Sequence, residues 1–308
     1  MANNIEILIL LQTKQLLEQE LKTIINGSIE IRNGKYIYIH NREDGIPYTR
    51  YVGEYNDELY NQIISNNFLA KEYKSKISLI NKELKKNNYS ETILAEKVKV
   101  NIDFAKKNLV ESIYDQAILE GISTTFIDTE NIIEGGKVNN MTASDVLKII
   151  NLKHAWEFIL NENVISSESN FNLLCSLNKF IIEGFFYSAG MLRNIPVTIG
   201  GTDYKPPIPI GSVIKEQLGI IINKKNNNVE KAVELLLFIM KHQIFIDGNK
   251  RTAVLFANHY LISKGQGIIV IPAKKVEKFK KLLLNYYETD SKEKIKSFLI
   301  EECYKNIV

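Results

Sequence analysis

The chain has 308 residues, of which 45% are apolar and 24% charged, a mixture typical of globular proteins and unlike disordered or collagen-like chains. Its net charge of +3 is too small for the basic surface of a dedicated nucleic-acid binder, and its two cysteines are too few for a disulfide framework or a zinc site. No apolar run approaches the roughly 18–20 residues that a membrane helix needs, and the apolar stretch at residues 5–11 contains Glu6 and follows no basic region. We therefore expect a cytoplasmic protein without a membrane or nucleic-acid partner.

The first 90 residues predict a small α+β region. Apolar residues at helical spacing predict one helix over residues 5–25 and another over residues 55–84. Between them, three short runs rich in β-branched and aromatic residues are separated by Asn-Gly at 33–34 and Asp-Gly at 44–45, which are hairpin turn signals. This pattern predicts an antiparallel three-stranded meander. The polar residues 85–88 place a domain boundary near residue 90, which divides the chain into regions 1–90 and 91–308.

The predicted meander is rich in tyrosine, arginine and lysine. Exposed aromatic rings between basic side chains are what a binder of single-stranded nucleic acid needs. The same residues also serve cross-strand packing in a two-sided sheet or the docking of a protein partner. We favour these last two interpretations.

The rest of the chain predicts a mainly helical domain. Helical spacing marks residues 91–126, 143–162 and 171–184, and the first stretch carries a helix-end signal where Glu120 is followed by Gly121. Four of the six prolines lie within residues 188–211, which predicts an ordered, irregular loop with at most a short edge strand at residues 195–199. Long ordered loops inside a helical domain usually carry function.

A polar loop at residues 242–251 lies between two strongly apolar helices, predicted at residues 229–240 and 252–261. A loop that opens a helix presents free backbone N–H groups and the positive end of the helix dipole. The residues that suit phosphate binding there are Gly248, Asn249, Lys250 and Arg251. Asp247 beside them suits a divalent cation that bridges the phosphates. An Asp-Gly-Asn run is also an ordinary turn, but its place between two buried helices favours the anion site.

The segment from Phe245 to Ala253, FIDGNKRTA, resembles the signature loop of the Fic/Doc (Fido) family, whose pattern is H-P-F-x-D/E-G-N-G/K-R. Residues 188–207 resemble the family's G-x-x-R segment and flap, and residues 116–125 resemble its inhibitory helix, usually S-x-x-x-E-G. The resemblance covers residues 100–300. It implies a mainly α fold, a Fic-type helical bundle with a short β-hairpin flap, which follows the small N-terminal α+β region.

The resemblance also implies an activity, the transfer of AMP from ATP to a hydroxyl group of a target protein with the help of Mg²⁺. In that family a histidine is the general base on the hydroxyl, and Asp247 would hold the Mg²⁺. The phosphate-binding turn would be formed by Gly248, Asn249, Lys250 and Arg251. Phe245 would anchor the loop in the core.

Two further segments gain expected roles from the resemblance. The flap would clamp the target by strand addition along Val197, Thr198 and Ile199. Glu120 and Gly121 would belong to the regulatory, inhibitory helix. The sequence identifies neither the target protein nor the oligomeric state, and a homo-oligomer is one alternative.

The position of the general base departs from the family pattern. Gln243 stands two residues before the phenylalanine, where the family has its histidine, and His242 lies one residue earlier. An amide has no useful basicity near neutral pH. Either His242 reaches the site after a local register shift, or the base is missing or weakened, and we favour the second hypothesis.

Two more departures concern regulation and reaction type. Gln116 replaces the usual Ser or Thr of the inhibitory helix. Val254 stands where AMP-transferring members often carry a second arginine, which pairs with the inhibitory glutamate. Both differences put a regulatory role of Glu120 in question. Lys250 before Arg251 is the pattern of the Doc branch, which resembles a phosphoryl-transferring toxin. Our leading hypothesis is therefore weak AMP transfer, with a catalytically impaired binding switch and Doc-like phosphoryl transfer as alternatives.

Overall fold

The structure, a computed structural model, describes residues 4–43, 46–87, 94–139 and 141–307. The chain divides into two compact units, Met1–Ser90 and Glu91–Val308. The predicted turn at Asp44 and Gly45 and the boundary near residue 90 fall outside the described residues. No helix in the described ranges is long and apolar enough to cross a membrane.

The first unit contains the predicted meander between two helices. Its elements in chain order are α1 (Asn4–Thr23), β1 (Ser28–Arg32), β2 (Tyr36–Glu43), β3 (Ile46–Glu54) and α2 (Asp57–Lys86). The strands pair antiparallel in the order β1-β2-β3. Asn33 and Gly34 both adopt positive φ, 54° and 65°, in the three-residue connection between the paired residues Arg32 and Tyr36. The meander prediction is therefore confirmed.

The two faces of this sheet have different roles. Ile37 and Ile39 of β2 are buried against Ile63 of α2, and these three residues form the core of the unit. On the other face the ring of Tyr51 lies 6.2 Å from that of Tyr36 and 5.4 Å from that of Tyr38. The aromatic residues of the meander thus make cross-strand pairs on a partly exposed face.

The second unit is mainly helical. Its helices are α3 (Glu96–Lys107), α4 (Leu109–Glu120), α5 (Phe126–Glu134), α6 (Ala143–Ile159), α7 (Glu162–Ile165), α8 (Phe171–Ile181), α9 (Gly211–Asn223), α10 (Asn228–His242), α11 (Asn249–Ser263), a 3-10 turn (Ala273–Lys275), α12 (Val276–Thr289), α13 (Glu293–Phe298) and a π-helical turn (Leu299–Cys303). Two short strands, β4 (Ile268–Ile269) and β5 (Tyr304–Lys305), pair antiparallel. Helix α11 is buried along almost its whole length and packs against α10, α8, α6, α4 and α3. It is the central helix around which the others pack.

Several helix ends differ from the sequence-based predictions. The stretch predicted as helical over residues 91–126 divides at Asn108 into α3 and α4, and α4 ends at Glu120 because Gly121 takes the left-handed conformation, with φ 84°. Helix α5 was not predicted; it begins after Thr125, whose side chain accepts a hydrogen bond from the Asp128 N–H. Helix α8 ends at Ile181, three residues before the glycine that was predicted to end it.

The segment between α8 and α9 corrects one prediction. It turns at Gly200 and Gly201, but residues 188–210, all of which the structure describes, form no strand, so the expected β-hairpin in the flap is absent. Proline at 196, 206 and 207 provides no N–H for a ladder. The carbonyls of Ile195, Pro206 and Pro207 accept hydrogen bonds from Arg193 instead of from a second strand. We refer to residues 195–207 as the flap.

The core of the first unit generates a prediction. Ile63→Ala removes a side chain with no exposed surface from the contact between α2 and the sheet, and we expect it to lower the free energy of unfolding of this unit by about 2–5 kcal/mol. Hydrogen exchange of the β2 amides in increasing urea measures this loss. The matched control is Ile64→Ala on the same helix, where the side chain is 48% exposed and the expected change is within about 0.5 kcal/mol. Equal losses in both variants would contradict the packing described here.

Candidate functional site

The side chain of Asn249 forms three hydrogen bonds with the loop between α10 and α11, residues 243–248. Asn249 accepts a hydrogen bond at Oδ1 from the Phe245 N–H (2.9 Å), and its Nδ2 donates to the Phe245 carbonyl (2.8 Å) and to Gln243 Oε1 (3.2 Å). Phe245 itself is fully buried. Loop and core are therefore joined at Phe245, where the sequence predicts the anchor.

The end of the loop requires glycine. Gly248 has φ +76°, and a Cβ there would lie 2.7 Å from Ile181 Cγ2 and 2.8 Å from Ile182 Cγ2. Asn178 of α8 supports the same turn, since its Nδ2 donates to the Asp247 carbonyl at 2.9 Å. The backbone of Gly248 consequently lies directly on α8, and α11 begins with N–H groups that have no partner within the helix.

Arg251 lies in the first turn of α11 and is only 1% exposed. Its Nη2 is 3.3 Å from Glu120 Oε1 and 3.3 Å from Asp247 Oδ2. Lys250 Nζ lies 3.7 Å from the other Glu120 oxygen. Glu120, at the end of α4, thus pairs with Arg251 itself, although the second family arginine is replaced by the buried Val254.

A cleft of about 800 Å³ opens above these charges, and we call it the loop cleft. Its floor is the loop and the start of α11, and the flap and α12 form its walls. The lining residues are Glu120, Pro196, Val197, Thr198, Ile199, Gly200, Gln243, Ile246, Asp247, Gly248, Asn249, Lys250, Lys280, Leu283, Leu284 and Tyr287.

The structure brings most of the expected site residues to this one cleft. Arg251 and Phe245 lie beneath its floor, and Gly121 ends the helix that delivers Glu120. The α12 wall, with Lys280, Leu283, Leu284 and Tyr287, was not predicted. Its lysine-rich, amphipathic sequence is indistinguishable from that of a helix with one solvated face.

The expected base positions separate in space. Gln243 lines the loop cleft, with its Nε2 donating to the Met240 carbonyl at 2.7 Å. His242 lines a different cavity, of about 450 Å³, together with Asp290 and Lys292. Its Nδ1 donates to the Phe238 carbonyl at 2.8 Å and its ring packs on that of Phe238 at 4.1 Å. The register shift that would bring His242 to Asp247 is therefore not present.

Burial shifts the pKa of two groups near this point. Burial, assisted by Lys241 and Lys292, lowers the pKa of His242, so its imidazole is neutral near pH 7. Burial raises the pKa of Tyr287, whose hydroxyl donates to the Met240 carbonyl at 3.0 Å. Tyr287 consequently remains protonated and cannot replace the missing base at neutral pH.

The donors of the loop cleft suit one kind of metal ion. Among the residues that the structure describes, no group of three or more His, Cys, Asp or Glu side chains could hold a metal by itself. Asp247 offers a single carboxylate, 42% exposed, beside a helix N-terminus. One carboxylate combined with phosphate oxygens and water is the ordinary donor set of Mg²⁺. The residues thus fit Mg²⁺ that arrives with a phosphate ligand.

Gly248→Ala tests the geometry of the loop floor. We expect it to lower the free energy of unfolding by about 1–3 kcal/mol, because alanine disfavours positive φ and its Cβ overlaps Ile181 and Ile182. Urea denaturation followed by the fluorescence of Trp156, the single tryptophan, measures the loss. Gly219→Ala in α9 is the control, since its Cβ meets nothing within 4 Å and stability should stay or rise slightly. An unchanged midpoint for Gly248→Ala would refute the contact with α8.

Comparison with known proteins agrees with this geometry. Residues 169–261 match the sequence model of the Fic/DOC family. The fold is similar to that of Fic-1 (residues 134–508) from C. elegans, with a TM-score of 0.52 and 15% identity over 76% of this chain and 71% of that chain. It is also similar to a Fic domain containing signaling protein from Bacteroides thetaiotaomicron, with a TM-score of 0.53 and 19% identity over 71% and 90% of the two chains.

A third solved structure, a Fic family protein from Desulfovibrio desulfuricans G20, has a TM-score of 0.54 and 13% identity over 68% of this chain and 73% of that chain. No curated protein matches the chain significantly. At these identities the structural likeness concerns the fold, and the sequence match concerns the segment that holds α8, the flap, the loop and most of α11. The chain thus has a mainly helical fold similar to that of Fic-domain proteins, and its residues 169–261 match the Fic/DOC family model.

Proposed function

We propose that the loop cleft binds ATP with Mg²⁺ and that the chain transfers AMP from it to a protein hydroxyl only slowly. The observation that carries the proposal is the buried Arg251 at the start of α11, with Lys250 beside it and Asp247 opposite, under a cleft of about 800 Å³. Membership of residues 169–261 in the Fic/DOC family supports AMP transfer or a related group transfer. The nucleotide and the reaction are part of the proposal.

Positive charge is concentrated around the start of α11, which favours a phosphate ligand. Asn249 and Lys250 of the first α11 turn line the cleft, with the free N–H groups and the positive end of the helix dipole, and the buried Arg251 lies in the same turn. An arginine guanidinium donates two parallel hydrogen bonds to phosphate, and Lys250 adds a second cation. Asp247 would hold Mg²⁺, which would neutralise part of the phosphate charge.

Glu120 supports a regulatory role for α4. Its carboxylate occupies the same two cations that would hold the phosphates. Since a phosphate oxygen and the Glu120 carboxylate would compete for Arg251, nucleotide binding requires Glu120 to move or to share its partners. Glu120 therefore limits affinity for the nucleotide.

The position of Gln243 supports slow transfer. Attack of a target hydroxyl on the α-phosphorus forms a new P–O bond, releases pyrophosphate and requires that the hydroxyl proton go to a base. Gln243 faces the loop cleft with a neutral amide, and His242 faces another cavity. This observation also favours the second candidate function, a nucleotide-dependent binding switch without catalysis.

Calorimetric titration with ATP and Mg²⁺ tests the binding proposal. We expect the wild type to bind, Arg251→Ala to lose binding, and Glu120→Ala to bind about tenfold more tightly, because two cations are freed from a charge-assisted contact. Glu111→Ala on the same helix is the matched control, since Glu111 pairs with Lys305 and does not line the cleft. Absence of heat with both the wild type and Glu120→Ala, in samples with an unchanged circular dichroism spectrum, would overturn the nucleotide site.

Restoring a base tests the transfer proposal. Gln243→His places an imidazole at the cleft, and we expect it to raise incorporation of label from the α-phosphate of ATP into protein acceptors by about 10²–10⁴-fold, the usual contribution of general base catalysis. Gln243→Asn, a shorter neutral amide, is the control and should give no increase.

The position of the label separates the candidate reactions. Label incorporated only from the γ-phosphate would indicate phosphoryl transfer, as Lys250 in the Doc-like pattern suggests, and would overturn AMP transfer. If Gln243→His binds ATP but incorporates no label from either position, the chain is a binding switch.

A further inference from the structure

Arg193, which precedes the flap, is a buried cation with unusual partners. The residue is 3% exposed, and in the part of the chain that the structure describes all its hydrogen-bond acceptors are backbone carbonyls. Burial lowers the pKa of its guanidinium, which indicates that removal from water is not offset by a neighbouring carboxylate. Burying a charge that is satisfied only by peptide dipoles costs free energy.

The acceptors belong to two separate segments. On the flap, Nη1 donates to the carbonyl of Ile195 (2.8 Å), and Nη2 donates to the carbonyls of Pro206 (3.1 Å) and Pro207 (2.6 Å). Both arms of the flap thus end on one guanidinium. The two arms do not pair as strands. The hydrogen bonds from Arg193 therefore fix the distance between the arms, as inter-strand hydrogen bonds would in a β-hairpin.

The remaining acceptors lie where α10 enters the loop. Nε donates to the carbonyl of Gln243 at 2.5 Å, and Nη2 approaches the carbonyl of His242 at 3.4 Å. The backbone N–H of Arg193 donates to the carbonyl of Ile244 at 3.1 Å. One residue therefore joins the flap wall and the floor of the loop cleft.

The contact with Gln243 also concerns a strained position. Gln243 has φ +43°, a left-handed conformation that is unfavourable for a residue with a side chain and persists only when surrounding contacts hold it. This reversal separates His242, which faces the smaller cavity, from Gln243, which faces the loop cleft. Arg193 supplies hydrogen bonds on both sides of the reversal.

We propose that Arg193 is a positioning residue of the loop cleft, which couples the flap to the loop so that a ligand bound at the loop orders the flap for an extended polypeptide. The guanidinium spans the three carbonyls of the flap and those of the loop because its donors point in fixed, divergent directions. A lysine ammonium keeps the charge but carries its donors on one atom, so it cannot serve both segments. The ligand part of the proposal rests on the proposed nucleotide site; the coupling of the two segments does not.

The first test uses the ligand-free protein and reads the two segments separately. Thermolysin cuts before Val197 and Ile199, and the products identified by mass spectrometry report opening of the flap. Proton NMR of the imidazole groups reports the loop, because the chain has four histidines and burial lowers the pKa of His242. In Arg193→Lys we expect flap cleavage to rise about tenfold or more, as loss of one charge-assisted hydrogen bond would cause, and the His242 pKa to rise toward its ordinary value.

His259 is the internal reference for a merely structural effect. It is fully buried between Ser169 and the Val164 carbonyl, and burial lowers its pKa to about 4. A variant that keeps the low His259 pKa while the flap and His242 change has lost the coupling and not the fold. Lys205→Ala, which removes an exposed cation of the flap outside these contacts, should leave both readouts unchanged.

Two ligand-free outcomes overturn the coupling: unchanged cleavage and unchanged His242 pKa in Arg193→Lys, or a change in the flap alone. If Arg193→Lys does not fold, the wild type answers the question in urea below its unfolding transition. There the rate of flap cleavage and the His242 pKa should change over the same range of urea concentration. Faster flap cleavage at a urea concentration that leaves the His242 pKa unchanged would contradict the proposal.

ATP with Mg²⁺ supplies the second test. It should slow flap cleavage in the wild type and leave it unchanged in Arg193→Lys, even though the variant still binds the nucleotide through Arg251 and Lys250. A wild type that binds ATP without any change in flap cleavage overturns the ligand part of the proposal. If neither the wild type nor Glu120→Ala binds ATP, the proposed function is overturned and with it the ligand part, while the ligand-free measurements still judge the coupling.

Discussion

The structure of the site depends on how the charge of Arg251 is compensated inside the protein. A guanidinium does not lose its proton, so the charge of a side chain that is 1% exposed must be compensated inside the protein, and at Arg251 carboxylates do this. The start of α11 and Lys250 add further positive charge at the same place. Glu120, from a helix 131 positions earlier in the chain, and Asp247 supply the negative charge. A phosphate ligand would compensate the same positive charge. In the proposed function, the Glu120 carboxylate takes the place of that phosphate when no ligand is bound.

Anion binding and proton transfer depend on different parts of the loop. In the proposed function, binding would depend on backbone N–H groups, on the turn at Gly248 and on two cations, in a loop whose start is fixed by the hydrogen bonds of Asn249 to Phe245. Proton transfer rests on a single side chain at position 243, where the protein has an amide. In the proposed function, an amide at position 243 would therefore leave the binding half of the site intact. This separation is the physical reason why a chain of this kind can retain nucleotide affinity with little or no catalysis.

Local signals allowed much of the fold to be predicted. Asn33 and Gly34 marked the meander and Gly121 marked the end of α4, whereas α11 begins at Asn249, three residues before its predicted start. Features that depend on distant contacts were missed. The α12 wall has the pattern of any half-exposed helix, the Glu120–Arg251 pair joins elements far apart in sequence, and the flap takes its shape from Arg193 instead of from strand pairing. Hydrophobic periodicity carries no information about such contacts.

The most direct measurement of the central claim is a crystal structure of the chain with ATP and Mg²⁺. We expect phosphate oxygens within hydrogen-bond distance of Arg251 and of the first α11 N–H groups, the metal on Asp247, and the Glu120 carboxylate displaced from Arg251. Gln243 should face the α-phosphate side of the cleft with no imidazole nearby. Nucleotide bound elsewhere, with the contact between Glu120 and Arg251 intact, would contradict the central claim.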